Sequence, residues 1–154
     1  VARPESDPAR DSTRVLVRIG GGQLQLHASA RWVAPAPDLL RTRLVRYLRD
    51  SGMLDEVGAG AGASGMDRTL ALDLRRFELV ETGSGALQAE VRVEARLYES
   101  RSAELLAREL FETSRPVDGT GPTEIVGGFE AALGEVIPAL AGWLAEHGAE
   151  AQED

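Results

Sequence analysis

Ala28–Leu44 reads "ASARWVAPAPDLLRTRL", and the change of pattern inside this stretch decides the fold. Leu24, Leu26, Ala28, Ala30 and Trp32 share one parity, the spacing of a strand with a single buried face. Pro35 and Pro37 then hold the link extended, because proline fixes its own φ and biases the preceding residue away from the helical region. From about Asp38 to Asp50 the period becomes helical: Leu40, Leu44, Tyr47 and Leu48 gather on one side, while Arg41, Arg46 and Arg49 point elsewhere. Asp38 stands at the positive end of the helix dipole, and Gly52 stands where a helix stops in a left-handed conformation. The stretch is therefore a corner at which the chain leaves a sheet and enters a helix. Parity places Trp32 beneath the helical layer.

Working outward, Val15, Val17 and Ile19 alternate as a strand. The triple glycine Gly20–Gly22 turns it into the strand that ends at Trp32, since glycine tolerates the positive φ of tight hairpins. Beyond the helix, "MLDEV" from Met53 to Val57 reads as a short strand and Gly58–Asp67 as a flexible loop. Leu70, Leu72 and Leu74 begin another strand, but Phe77 and Leu79 continue it in the opposite parity. One inserted residue near Arg75–Arg76 restores the face, which predicts a β-bulge there. After the turn "ETGSG" comes the cleanest alternation in the chain. Leu87, Ala89, Val91, Val93, Ala95 and Leu97 face one way; Gln88, Glu90, Arg92, Glu94, Arg96 and Tyr98 face the other, as in an antiparallel sheet with one dry and one wet side. A turn at "ESRSAE" leads to a strand over Leu105–Thr113, then a loop at "RPVDGTGP". The closing helix runs from Pro122 or Thr123 to His147, with Ile125, Val126, Phe129, Leu133, Val136, Ile137, Leu140, Trp143 and Leu144 on one arc and Pro138 almost opposite.

The order β-β-α-β-β-β-β-α predicts an α+β fold: a two-layer sandwich, mainly antiparallel, with two amphipathic helices on one face of the sheet. Residues 1–13 read as a disordered leader, 14–148 as one domain and 149–154 as a frayed acidic tail. No apolar run approaches the roughly 20 residues that span a bilayer.

Composition excludes several functions. The net charge of −8 over 154 residues argues against nucleic-acid binding, which needs a basic surface. With no cysteine there is no disulfide, no thiolate nucleophile and no Cys-based zinc site. Gly60–Gly65, "GAGASG", satisfies the dinucleotide pattern, but a strand pattern follows where that site requires a helix. The chain has no lysine for a phosphate loop. His27 and His147 lack ligand-spaced companions, and Ser84 sits in a turn between strands, unlike a nucleophile elbow. No catalytic, metal or cofactor residue is assigned. The row Glu90, Arg92, Glu94, Arg96 and Tyr98 fits either a solvated face laced with cross-strand ion pairs or a partner-binding surface. Gly127, Gly128, Gly134 and Gly142, on the back of the last helix, fit either ordinary surface positions or close approach by another subunit.

The hairpin ending in "RW", the proline link, the helix "LLRTRLVRYLRDSGML", then "LALDLRRFE" and "ALQAEVRVEARLYESRSAELLARELFE" resemble the ABC-type transport auxiliary lipoproteins (the paraquat-inducible protein C-like family). The likeness runs from about Val15 to His147. It implies a non-enzymatic periplasmic adaptor, anchored to the outer membrane by a lipidated cysteine. Its implied partners are an ABC transporter and an MCE-domain protein, in a system that moves lipids or other hydrophobic compounds across the cell envelope; the sheet and helix surfaces add a homo-oligomer as a further expectation. A similar small fold also serves envelope lipoproteins that regulate a cell-wall synthase or outer-membrane assembly, and this is the alternative.

Overall fold

The computed structural model describes residues 1–52 and 68–152. The expected strand Met53–Val57 and the loop Gly58–Asp67 lie outside the described residues. Among the described residues five strands, β1 (Arg14–Arg18), β2 (Leu24–Arg31), β3 (Arg68–Glu81), β4 (Leu87–Glu99) and β5 (Leu105–Val117), form one open sheet in the order β2-β1-β3-β4-β5. All neighbours are antiparallel except β1 and β3. Helices α1 (Ala36–Ser51) and α2 (Pro122–Gln152) form the second layer, giving the expected α+β sandwich.

The inner face of the sheet supplies the core. Ala89, Val91, Val93 and Ala95 of β4 are fully buried, beside Leu70, Leu72, Leu74, Phe77 and Leu79 of β3. The register of β3 shifts between Leu74 and Arg76, so the bulge falls where the parity change placed it and returns Phe77 and Leu79 to the dry side. Leu40, Leu44 and Leu48 form the buried stripe of α1, with Tyr47 at its exposed margin. Gly52 closes α1 at φ 63°. Trp32 is half-buried inside the corner, edge-on to Phe77 at 5.3 Å and to Phe129 of α2 at 4.8 Å. It thus lies between sheet and helix.

Several expectations are corrected. Helix α1 starts at Ala36, two residues early, because Pro35 caps it in an extended conformation and Pro37 falls in the first turn, where a missing N–H costs nothing. Leu24 and Leu26 do not share the inner face with Ala30. They pair with Arg18 and Leu16 on the outer side and are exposed, because β1 and β2 lose register between Leu26 and Arg31. That irregularity, where the Ala30 amide donates to His27 Nδ1 at 2.9 Å, flips the parity before the corner. Strand β5 continues through Arg115, Pro116 and Val117 rather than stopping at Thr113; a proline is tolerated because β5 is an edge strand.

Residues 1–13 are not a disordered leader. The amides of Ala2 and Glu5 donate to Leu70 and Leu72 carbonyls at 3.1 and 2.8 Å, and Leu74 donates back to Glu5 at 2.7 Å. The segment lies along the part of β3 that β1 leaves open, so its backbone groups find partners. At the other end α2 continues to Gln152, past His147, so residues 149–152 extend the helix rather than forming a separate tail. Its Pro122–His147 portion contains an 18-residue window of mean hydropathy 1.4, long and apolar enough to cross a membrane by length and composition, contrary to the reading that no such stretch exists. In this fold half of that window is buried, and Ile125, Phe129, Leu133, Val136, Ile137 and Leu140 cover the sheet as a core helix.

Gly128 also departs from expectation. It faces the sheet, not solvent: a Cβ there would lie 2.6 Å from Val117 Cγ2 and 3.4 Å from Ala89 Cβ. Gly127, Gly134 and Gly142 have open space around them.

Candidate functional site

The even-numbered residues of β4 project from the sheet on the side away from the helices. Glu90, Arg92, Glu94, Arg96 and Tyr98 therefore form one row, as the alternation requires. The row is bonded into its neighbours. Arg92 donates to Glu112 of β5 at 2.8 Å. Glu94, nearly buried, receives Arg75 at 2.8 Å and Arg108 at 3.4 Å, with Arg96 at 3.8 Å. Glu90 lies 3.7 Å from Arg76, and Arg96 reaches Glu5 of the N-terminal segment at 3.8 Å. Tyr98 is half-buried opposite Leu105. The row is a ladder of cross-strand ion pairs.

The same face contains a cluster that the pattern did not reveal. Glu78 is completely buried, on the outer side of β3. Its Oε2 accepts from Arg10 Nε at 2.9 Å and lies 2.7 Å from Arg10 Nη2. Its Oε1 accepts from Arg18 Nη2 at 2.6 Å and from Arg76 Nη1 at 3.1 Å. Arg10 is itself buried and is held from behind by Asp7, whose Oδ1 accepts the Arg10 amide at 3.0 Å. Both Glu78 oxygens are occupied by guanidinium groups, so the carboxylate is a fastening for residues 7–10 and not a free base. Arg10 and Glu78 are far apart in sequence, and no local spacing announces the pair. The only sequence signal is a carboxylate among apolar residues in "RRFELV". A second tie is Arg3, which bridges Asp11 at 2.7 Å and Asp38, in the first turn of α1, at 2.9 Å. That bond holds the Asp11 carboxyl below its ordinary range.

On the helical side, a groove of about 590 Å³ runs between α1 and α2, with Tyr47, Leu133, Ile137 and Pro138 in its walls and Arg46 at its rim. Arg43 and Glu130 form a two-pronged ion pair across it. Hydrogen bonding to the guanidinium, opposed by partial burial, lowers the Glu130 pKa and raises that of Arg43.

His147 packs against Trp143 at the far end of α2, remote from His27 in β2. Among the described residues no group of three or more His, Cys, Asp or Glu is placed to hold a metal ion.

A family model described as ABC-type transport auxiliary lipoprotein component matches residues 1–141, and so takes in the N-terminal segment together with the sheet. Protein XCC0632 from Xanthomonas campestris is similar in structure, with TM-score 0.91 and 32% identity over 99% of this chain and 86% of that one. A putative lipoprotein from Caulobacter crescentus shares the fold at TM-score 0.52 and 19% identity, over 84% of this chain and 88% of its own. An uncharacterized protein, bll6063, of Bradyrhizobium diazoefficiens is 26% identical over 112 residues. These are 73% of this chain but only 30% of that relative's length.

Proposed function

This chain belongs to the family of ABC-type transport auxiliary lipoprotein components, and from that premise we propose that it is a non-enzymatic periplasmic adaptor, held at the outer membrane in its full-length form. Its partners are the ABC transporter and an MCE-domain protein, in a system moving lipids or other hydrophobic compounds across the envelope. The observation that carries this reading is the family match over nearly the whole domain, joined to a face built of saturated ion pairs. Such a face suits docking: complementary charges orient a partner and set its rate of arrival. Glu90, Arg92, Glu94, Arg96 and Tyr98 form the proposed partner-binding row, with the half-exposed Arg92 and Tyr98 as its anchors. Tyrosine and arginine are the residue types that most often dominate interfaces.

The test is affinity capture of the tagged full-length protein from detergent-solubilised envelopes. The expected result is recovery of an MCE-domain protein, lowered severalfold by Arg92→Glu or Tyr98→Ala while thermal unfolding stays near that of the parent. Recovery of a penicillin-binding protein instead, or recovery of the MCE protein unmoved by both substitutions, overturns the assignment.

A further inference from the structure

Among the described residues strand β5 is the long open edge of the sheet, and its ladder to β4 is continuous from Ala107 to Val117. At the head of the hairpin the Glu99 amide donates to the Glu104 carbonyl at 2.9 Å. Glu99 and the other odd-numbered residues of β4 therefore bond to β5, and beyond the register shift between Leu97 and Tyr98 they stand opposite odd-numbered residues of β5, so the backbone groups of Arg108, Leu110, Glu112 and Ser114 point outward. The position of Pro116, also even-numbered, agrees, since its missing N–H then costs the sheet nothing. Leu105, Leu106 and Leu110 are exposed along this edge, with Leu110 46% accessible. An open edge bearing apolar side chains is a template for another strand.

We propose that this edge pairs with the same edge of a second copy, antiparallel about a two-fold axis at Leu110, to make one sheet of ten strands. The sequence identifies the occupant. With Leu110 opposite Leu110, Arg108 stands opposite Glu112 of the second copy, and Glu112 opposite its Arg108. All of these side chains lie on the outer face, because Arg108, Leu110 and Glu112 pair there with Arg96, Glu94 and Arg92 of β4. Within one chain Arg92 already donates to Glu112, and Arg108 reaches Glu94. The pairing therefore extends those two contacts into a ladder of alternating charge running Arg92, Glu112, then Arg108 and Glu94 of the second copy. Leu110 closes on its own symmetry mate at the axis, and the outward amides and carbonyls of even-numbered residues are satisfied reciprocally. Such an interface is isologous, so it closes at two copies and does not propagate. Strand β2, the other edge, has no comparable register because its ladder breaks between Leu26 and Arg31.

The experiment is sedimentation velocity on the full chain at high micromolar concentration. The parent is expected to sediment as a dimer. Arg108→Glu alone and Glu112→Arg alone are each expected to be monomeric, since each sets like charges opposite one another twice. Mixing the two variants is expected to restore a dimer containing one of each, which a misfolded variant would not do. Leu110→Pro, which removes the outward amide at the axis, is expected to be a folded monomer. A monomeric parent, a dimer untouched by these changes, or a mixture that stays monomeric overturns the proposal.

Discussion

The two faces of the sheet are built from alternate residues of the same strands and are held by different physics. Val91 and Val93 of β4 point into the helical layer and are stabilised by area removed from water, a term that depends on volume and little on direction. Arg92 and Glu94, between and beside them, point the other way and depend on named partners at fixed distances. The contrast peaks at Glu78 and its neighbour Phe77. One side chain sits in an aromatic cluster, and the other, equally buried, sits among three guanidinium groups. The inner face tolerates a change of shape but not a void. The outer face tolerates loss of an exposed charge but not of the carboxylate on which several cations converge.

Breaking each face in turn makes the difference measurable. On the inner face, Phe129 stacks on Phe77 at 4.8 Å and meets Trp32 edge-on. Phe129→Ala is expected to cost about 3–5 kcal/mol in denaturant unfolding, and a cost below about 1 kcal/mol would mean that this cluster is not the core. On the outer face, Glu78→Ala is expected to cost about 3 kcal/mol, since removing one partner leaves buried charge uncompensated. Here the second readout is local: amides of Ala2 and Glu5 should exchange faster in Glu78→Ala than in Phe129→Ala at matched stability. Equal exchange in both would show that the N-terminal segment is not fastened through this carboxylate.

A finer pair of changes tests how closely α2 sits on the sheet. Alanine for glycine inside a helix gains up to about 1 kcal/mol where space is open, which is the expectation for Gly134→Ala. At Gly128 the added methyl meets Val117, and overpacking of about 1–3 kcal/mol outweighs that gain, so Gly128→Ala should lower the melting temperature.

The smallest effect belongs to Arg43–Glu130, between the two helices and more than a third exposed. Its folded-state Glu130 pKa is depressed, so its contribution is present at neutral pH and lost as pH falls through that depressed value. Screening by solvent holds it below about 1 kcal/mol. Thermal unfolding of the parent and Glu130→Gln should differ slightly at pH 7 and converge in acid. A difference that grows on acidification would contradict the assignment.

Much of this architecture was legible in local pattern. The alternation of β4, the bulge after Leu74, the stripe of α1 and the stop at Gly52 all follow from period and backbone preference, which act over a few residues. Leu24 and Leu26 misled because parity holds only while a ladder keeps register, and the break after Leu26 is set by how β2 meets β1. Arg115–Val117 read as loop because proline weakens a strand pattern, whereas an edge position removes the penalty. The row Glu90–Tyr98 was visible as a candidate surface, but its partners on β3, β5 and the N-terminal segment were not.

By itself the sequence determined the fold class, the corner at Trp32 and the two-faced character of the central strand. Those depend on hydrophobic period, on proline and on glycine, whose effects are carried by each residue and its close neighbours. The tertiary structure alone decided that residues 1–13 belong to the sheet, that Glu78 is buried among arginines, that Gly128 touches β4 and β5, and that β5 is the open edge. Each of these is a meeting of segments distant in the chain. Burial and charge pairing there depend on what the fold brings opposite a residue, and no local spacing encodes that.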